Sequence, residues 1–396
     1  MNERTGDVKE LNIAMIGTGF MGKAHSLAYS AMPLFFWPPP ATPVRKVVVD
    51  VTDDLASSAR DRLGFADYAT DWKDVVGRSD IDVVDICTPN NCHAEIAIAA
   101  AKAGKHILCE KPLALDAAEA KTMLDAVEAA GVTHMVAFNY RHTPAVIMAK
   151  QLVDAGRIGQ ILTFHGRYLQ DWSADPGTPL SWRFQKKLAG SGALGDVGTH
   201  IIDMTRYIVG ELESVNAIVR THIPERPRQK GAFDKMASAQ RDASGPKGPV
   251  DVDDALITMI RFANGAAGTI EASRNAYGHH NGLGFEINGT KGSIIFDYQR
   301  LNELQVMFAD DPIELHGFRT LHMGPAHPYG EHLWPIPGLG VGYIDVKIIE
   351  CFNFIKAVIE GRPGEPNFRD GYEIARISDA IVASGVSQKW ESVADY

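Results

Sequence analysis

The sequence predicts an α/β protein in two parts: a helix-flanked parallel sheet, then an α+β domain with an open, mostly antiparallel sheet. Three observations predict it. Apolar runs alternate with helical segments from Leu11 to Phe138, and the alternation stops at Asn139-Tyr140-Arg141-His142. Longer strands punctuated by turn signals, Asn264-Gly265 and Asn288-Gly289 among them, then follow. The boundary is expected near 140, giving domains of 1–140 and 141–396. With 396 residues, 45% of them hydrophobic and 22% charged, the chain can bury two cores without a disulfide or metal.

The first element organises the rest. The apolar run Leu11 to Ile16 enters Gly17-Thr18-Gly19-Phe20-Met21-Gly22, and a helical stretch from Lys23 to Ala31 leaves it. Strand, glycine string and helix in this order suit the pyrophosphate of a dinucleotide. Gly17 permits the tight turn, Gly19 lets the phosphates approach the backbone, and Gly22 lets helix and strand pack closely. Met32 to Pro43, with Phe35-Phe36-Trp37 and the prolines Pro38 to Pro40, is read as a non-helical insertion. Val44 to Val51 is the second strand, with Asp50 at its end, and Asp53 to Leu63 its helix. An acid in that place accepts the adenosine ribose hydroxyls about twenty residues after the glycines, and the insertion accounts for the longer spacing here.

Ile81 to Cys87 and Lys105 to Cys109 are near-continuous apolar strands of the kind buried on both faces of a parallel sheet. They end in Thr88-Pro89-Asn90, followed by Cys92 and His93, and in Glu110-Lys111-Pro112. Ligands of open α/β sheets bind at the carboxyl ends of strands, so both tripeptides stand where chemistry is expected. Asp116 opens a helix to Ala130, and Val132 to Phe138 closes the sheet. In the second part, Ile161 to Gln170 alternates as a strand and Gly195 to Val209 is helical. Arg226 to Val250 is a polar insertion without periodicity, while Ile344 to Glu360 and Asp370 to Ser384 supply closing helices.

On the helix from Gly195, Asp196 and His200 are four apart and Asp203 three further, so one face carries acid, base and orienter. With Lys111 they supply what hydride removal from an alcohol needs: a base for the hydroxyl proton and a positive charge for the developing alkoxide. His200 is the expected base, Lys111 the alkoxide partner and Asp196 the orienter. Lys111 and His200 could exchange roles, because a desolvated lysine beside a cation can lose its proton near neutrality.

A net charge of −10 without a basic run excludes nucleic acid and anionic membrane surfaces as partners and favours a small neutral substrate. Met1 to Lys9 lacks an apolar core and no stretch approaches a membrane span, so a cytoplasmic enzyme is expected. Cys87, Cys92, Cys109 and Cys351 read as reduced core residues. His316, His322, His327 and His332, with Glu331, follow no zinc spacing, and no metal is expected. Tyr329, Trp334 and the neighbouring prolines read as a lid over a sugar. Trp172 and Trp182 read equally as core or as pocket walls; aromatic faces with convergent polar groups are what carbohydrate sites use.

Taken as a set, Gly17 to Gly22, Thr88-Pro89-Asn90 with His93, Glu110-Lys111-Pro112 and the string from Gly195 to Asp203 resemble the glucose-fructose oxidoreductase, inositol dehydrogenase and MocA family of pyridine-nucleotide oxidoreductases. The resemblance covers nearly the whole chain. It implies a Rossmann domain, NAD as cofactor, and a second domain whose sheet covers the active site and often forms the subunit contact, hence a homo-oligomer, dimer or tetramer. It implies Lys111, Asp196 and His200 as the catalytic set, and a cis peptide between Lys111 and Pro112. The cofactor site it implies comprises Gly17, Gly19, Phe20, Met21, Gly22, Asp50, Thr88, Asn90, His93, Glu110, Lys111, Trp182 and Arg183. For substrate it implies Lys111, Arg141, Tyr168, Gln170, Asp196, His200 and Tyr329.

Further stretches, including Tyr29 to Pro43, Tyr168 to Pro176, Ser181 to Gln185, Pro224 to Pro227 and Gly324 to Gly330, resemble a subgroup that oxidises the 3-hydroxyl of an anhydro-sugar. That subgroup's pattern has Ile-Ala where this chain has Val197-Gly198, and Arg where it has His142. The alternatives within the family are an inositol or glucose dehydrogenase, and outside catalysis a dinucleotide-binding regulator.

Overall fold

The computed structural model describes residues 8–228, 245–334, 336 and 338–396. They fall into two units. The first runs up to Ala114 and adds Ala118–His142 and Tyr329–Tyr372; the second comprises Leu115–Ala117, Thr143–Pro328 and Glu373–Tyr396.

The first unit holds a parallel sheet of β1 (Glu10–Ile16), β2 (Thr42–Val49), β3 (Asp67–Ala69), β4 (Val83–Ile86), β5 (His106–Cys109) and β6 (His134–Val136), in the order β3-β2-β1-β4-β5-β6. α1 (Phe20–Phe35), α2 (Asp53–Leu63), α3 (Lys73–Val76), α4 (His93–Lys102) and α5 (Ala117–Ala130) connect its strands, and the inner strands β1, β4 and β5 are largely buried. The chain builds outward from β1 to β3, then restarts at β4 on the other side of β1. The crevice at the carboxyl ends of β1 and β4 is therefore the switch point where ligands of such sheets bind.

One expected loop is helical. α1 continues through Met32 and Pro33 to Phe35, whereas Met32 to Pro43 was expected to be non-helical. Pro33 falls in the last turn and forfeits one N–H bond there, but the buried Met32 and Phe36, with the Phe36 N–H on the Met32 carbonyl at 2.9 Å, pin that turn.

The second unit contains α6 (Pro144–Asp154), β7 (Ile161–Leu169), α7 (Lys186–Ala189), a π-helical turn at Leu194–Gly198, α8 (Thr199–Val209) and β8 (Leu212–Arg220). A two-stranded ribbon of β9 (Glu225–Pro227) and β10 (Lys247–Pro249) occupies the ends of the expected polar insertion; residues 229–244, the body of that insertion, lie outside the described residues. β11 (Ala255–Phe262), β12 (Ala267–Ser273), β13 (Gly282–Gly289), β14 (Gly292–Asp297), β15 (Glu303–Phe308), β16 (Arg319–His322) and, after the last helices, β17 (Glu391–Ser392) complete a sheet ordered β16-β15-β14-β13-β7-β12-β11-β8-β17. All its pairs are antiparallel except β7 with β12. β11 buries every second side chain and leaves Ile257 and Met259 exposed, so one face of this sheet is core and the other open.

α9 (Gly330–Leu333) and α10 (Tyr343–Glu360) belong to the first unit, although the sequence placed them in a second domain of 141–396. The reason is packing on α1: Phe352 stacks on Phe36 with ring centroids 3.9 Å apart, and Lys347 reaches His25. The final helix, α11 (Phe368–Ser387), begins in the first unit and ends in the second.

Candidate active site

In the first unit the glycine string builds a phosphate cradle. Gly17 has φ +99°, and a Cβ there would lie 2.6 Å from the Cys87 carbonyl oxygen. A Cβ on Gly22 would meet the Gly17 oxygen at 2.3 Å, whereas one on Gly19 would meet nothing within 4 Å. The open space therefore lies at Gly19, the N-cap of α1, where the first helical N–H groups and the positive end of the helix dipole attract an anion. Phe20 and Met21 open the helix, and the Phe20 ring is 64% exposed. Asp50 follows β2 and its carboxylate accepts hydrogen bonds from the Thr18 N–H and hydroxyl and, at 2.7 Å, from Val51 N–H. It thus stands beside the glycine loop, as a ribose acceptor must.

The ends of β4 and β5 are tied together. His93, implied on the nicotinamide side, is fully buried: its ring spans the Thr88 carbonyl at 3.1 Å and the Pro112 carbonyl at 3.0 Å, so it joins the two loops. Burial lowers its pKa. Thr88 Oγ1 is buried without a partner among the described residues, and Asn90, two residues on, is buried. The Lys111-Pro112 peptide is cis. Glu110 is 4% exposed; its Oε2 accepts the Lys111 backbone N–H at 3.1 Å, and its Oε1 accepts from Lys347 Nζ at 3.0 Å and His25 Nε2 at 3.0 Å.

That carboxylate belongs to a buried ionic network. His25 Nδ1 donates to Asp85 at 2.9 Å, and Lys347 donates to Glu350 at 2.9 Å. Burial alone would lower the His25 pKa, but Asp85 outweighs it and the imidazole is held well above its ordinary value. Burial likewise opposes the charges on Lys347 and Glu110, yet their mutual attraction wins: the lysine is pushed up and the carboxyl well below its usual range. His25, Asp85 and Cys87 also form the one group of potential metal ligands whose donor atoms converge among the described residues. Burial pushes the Cys87 thiol up to about 12, so it keeps its proton, and the ammonium of Lys347 lies 3.1 Å from His25 Nε2; hydrogen bonding rather than metal binding fits the group.

Tyr140, Arg141 and His142 are buried at the carboxyl end of β6. Tyr329 donates to Asn353 Oδ1 at 2.8 Å, and Asn353 Nδ2 donates to His142 Nδ1 at 3.1 Å. Trp334, expected in a lid, is instead 2% exposed, and Pro335 and Pro337 lie outside the described residues.

In the second unit the expected helix from Gly195 to Val209 opens as a π turn. Gly195 and Gly198 lack side chains to hold a tight turn, and the Thr199 hydroxyl takes up the Gly195 carbonyl at 2.9 Å. Asp253 caps this start, accepting Gly192 N–H at 2.7 Å and Leu194 N–H at 2.8 Å. His200 and Asp203 are buried, while the Asp196 side chain keeps 24% exposure and faces Arg274 at 3.7 Å. The Tyr168 ring lies 5.9 Å from that of His200, and its hydroxyl, Gln170 Nε2 and Asn281 Oδ1 form a closed set with contacts of 2.6 to 3.1 Å. Arg183 stacks on Trp182 at 4.4 Å; burial lowers its pKa and Asp196 partly restores it. Trp172 packs on the cluster of Phe184, Val250 and Val252, which makes it core. Asp171 accepts from Gly278 N–H at 3.3 Å. Of the four late histidines, His316 bonds the Asp311 carbonyl, His327 the Gly324 N–H, and His332 lies against Phe36.

Sequence reading missed His25, Lys347, Asp253, Arg274 and Asn281. His25, three residues after Gly22, was the most accessible, because a histidine on the packed face of that helix needs buried partners. The others are remote in sequence from what they hold.

Comparison with known proteins identifies the family. Residues 11–138 match the oxidoreductase family with an NAD-binding Rossmann fold, and residues 146–295 match the GFO/IDH/MocA C-terminal domain. The chain is 60% identical over 386 residues to levoglucosan dehydrogenase of Pseudarthrobacter phenanthrenivorans, covering 98% of this chain and 99% of that one. It is 28% identical to myo-inositol 2-dehydrogenase of Thermotoga maritima, covering 91% and 92%. A solved structure of levoglucosan dehydrogenase in complex with NADH and levoglucosan has a TM-score of 0.92 at 58% identity, covering 97% of this chain and all of that one. By both family matches and by the 60% identity over nearly its full length, the chain belongs to the GFO/IDH/MocA family of NAD-binding oxidoreductases.

Proposed function

We propose that this enzyme oxidises a ring secondary alcohol of a small uncharged sugar, levoglucosan at its 3-hydroxyl, with NAD as the hydride acceptor. The observation that carries the reading is the 60% identity to levoglucosan dehydrogenase over almost the full length of both chains. The closed hydrogen-bonding set of Tyr168, Gln170 and Asn281 beside the His200 ring supports a hydroxyl-rich ligand. His200 takes the hydroxyl proton, Lys111 stabilises the alkoxide and Asp196 orients; Arg141 and Tyr329 contribute from the first unit. NAD supplies hydride acceptance, held by the Gly17–Gly22 cradle and by Asp50 at its ribose.

NAD is favoured over NADP. Asp50 would face a 2′-phosphate, and one like-charge pair at about 5 Å with an effective dielectric near 20 costs about 3 kcal/mol, roughly two powers of ten in affinity. The open face of the second sheet, with Ile218, Ile257 and Met259 exposed, supports a homo-oligomer, a dimer or tetramer. Four unpaired cysteines suit a reducing compartment such as the cytoplasm.

The test is NADH formation with levoglucosan, myo-inositol and glucose, each repeated with NADP. Levoglucosan with NAD should give the highest kcat/KM, and 3-deoxy-levoglucosan should be inert. Higher efficiency with myo-inositol or glucose would reassign the substrate within the family, and no turnover with any sugar would point to a dinucleotide-binding regulator.

A further inference from the structure

Arg274 has a role in neither the sequence motifs nor the proposed chemistry, yet it is fully buried at the point where three elements of the second unit meet. It follows β12, and its guanidinium makes a fork: Nη1 lies 3.7 Å from Asp196 Oδ2 and donates to the Arg183 carbonyl at 3.2 Å, while Nη2 donates to the Asp253 carbonyl at 3.2 Å. Its flat face lies against Phe184 at 5.1 Å and Trp172 at 5.3 Å, which fixes the plane of the fork. Asp253 in turn caps the π turn through its carboxylate, and its carbonyl also accepts Ala193 N–H at 2.9 Å. Gly192 is required for this approach, because a Cβ there would lie 1.8 Å from the Asp253 carbonyl oxygen and 2.9 Å from Arg274 Nη2.

We infer that Arg274 is a positioning residue for the proposed reaction: it fixes the carboxylate of Asp196, and with it the turn of Trp182 and Arg183, in the geometry that hydride transfer requires. The inference rests on the reading of Asp196 as part of the catalytic set. A fully buried cation needs anions or carbonyls around it, and here they are the catalytic carboxylate and two backbone oxygens of segments that border it. A packing role alone would not require the fork to be shared with a partly exposed carboxylate.

A double-mutant cycle tests this in the full-length enzyme, with single-turnover hydride transfer measured on whichever sugar the native chain oxidises. NADH-binding stoichiometry counts folded sites. Asp196→Asn should slow transfer about 100-fold or more, and Arg274→Met about 10- to 100-fold, each with one NADH bound per chain. In the Asp196→Asn background, Arg274→Met should add less than about threefold, because the group through which it acts is already lost. Arg274→Lys, which keeps the charge and loses the fork, should fall between; it carries the cycle if the methionine variant does not fold. Losses that multiply across the cycle, or a native rate for either Arg274 variant, would overturn the positioning role. A native rate for Asp196→Asn alone would instead remove Asp196 from the catalytic set, and a slow Arg274 variant would then refute any action through it.

Discussion

The two units fasten the segments that carry Lys111 and His200, the residues proposed to react, by different means. In the first, the backbone under Lys111 is fastened by a buried network of full charges: Glu110, Lys347, Glu350, His25 and Asp85, delivered by β4, β5, α1 and α10. In the second, the turn before His200 is fastened largely by backbone groups, with the Asp253 carboxylate on two N–H donors and a single guanidinium shared among carbonyls. Removing one member of a charge network strands its neighbours in a medium that cannot solvate them, so the first arrangement fails as a whole. A cap fails one hydrogen bond at a time. The backbone at Lys111 depends on residues distant in sequence; the turn before His200 depends on a cap and one guanidinium.

The comparison can be broken most sharply at the reacting groups. Lys111→Ala and His200→Asn should each lower kcat by about 100- to 1,000-fold while NADH affinity, measured by fluorescence, stays within about threefold. A near-native rate in either variant would remove that residue from the proposed catalytic set. Next in size, Lys347→Met should cost about 3–5 kcal/mol of stability in denaturant titration, because Glu110 and Glu350 lose their buried cation. Asp253→Asn should cost about 1–2 kcal/mol. A larger cost for Asp253→Asn than for Lys347→Met would reverse the contrast.

Acid should separate the units as well. Burial favours the neutral form of Glu110, but Lys347 and His25 outweigh it and depress the folded pKa. Its stabilising contribution is therefore complete above its ordinary value near 4.5 and is lost as pH falls toward the folded pKa. For Asp253 burial dominates and raises the folded pKa, so its ionisation costs stability that acid returns. Thermal melts between about pH 6 and 3 should show a loss of stability in the native chain that is smaller in Lys347→Met. An equal loss in both would remove Glu110 as its source. The smallest effect expected is at the surface: Lys121→Ala, which breaks a pair with Asp125 on the exposed face of α5, should change the melting behaviour within error.

The parallel sheet was legible because its strands are short apolar runs and its helices carry caps and alanines; Asp53–Leu63 was bounded in advance to the residue. The glycine turn was legible because its backbone demands are written into consecutive residues. Pro33 misled, because the packing of Met32 and Phe36 holds the last helical turn despite the hydrogen bond the proline removes. The π turn was invisible, since Gly195 to Val209 fits a 3.6-residue period whether or not its first turn is widened. Lys347, Arg274 and Asp253 could not be paired with their partners from one sequence, because a long-range ion pair leaves no local periodicity. Trp334 carried the signal of a lid residue, and burial gives it to the interior.

The first unit is not contiguous in the chain: it lacks Tyr329–Tyr372 until most of the protein has been made. During synthesis Asp85, Glu110 and His25 leave the ribosome more than two hundred residues before Lys347. Until that lysine arrives, Glu110 lacks the cation that contributes most to holding its charge, and the network beside the glycine turn is incomplete. A fragment ending at His142 would contain every recognisable dinucleotide motif and none of α10. Grafting the nucleotide-binding half onto another protein would therefore require carrying residues 329–372 with it, as a second segment joined at a separate point.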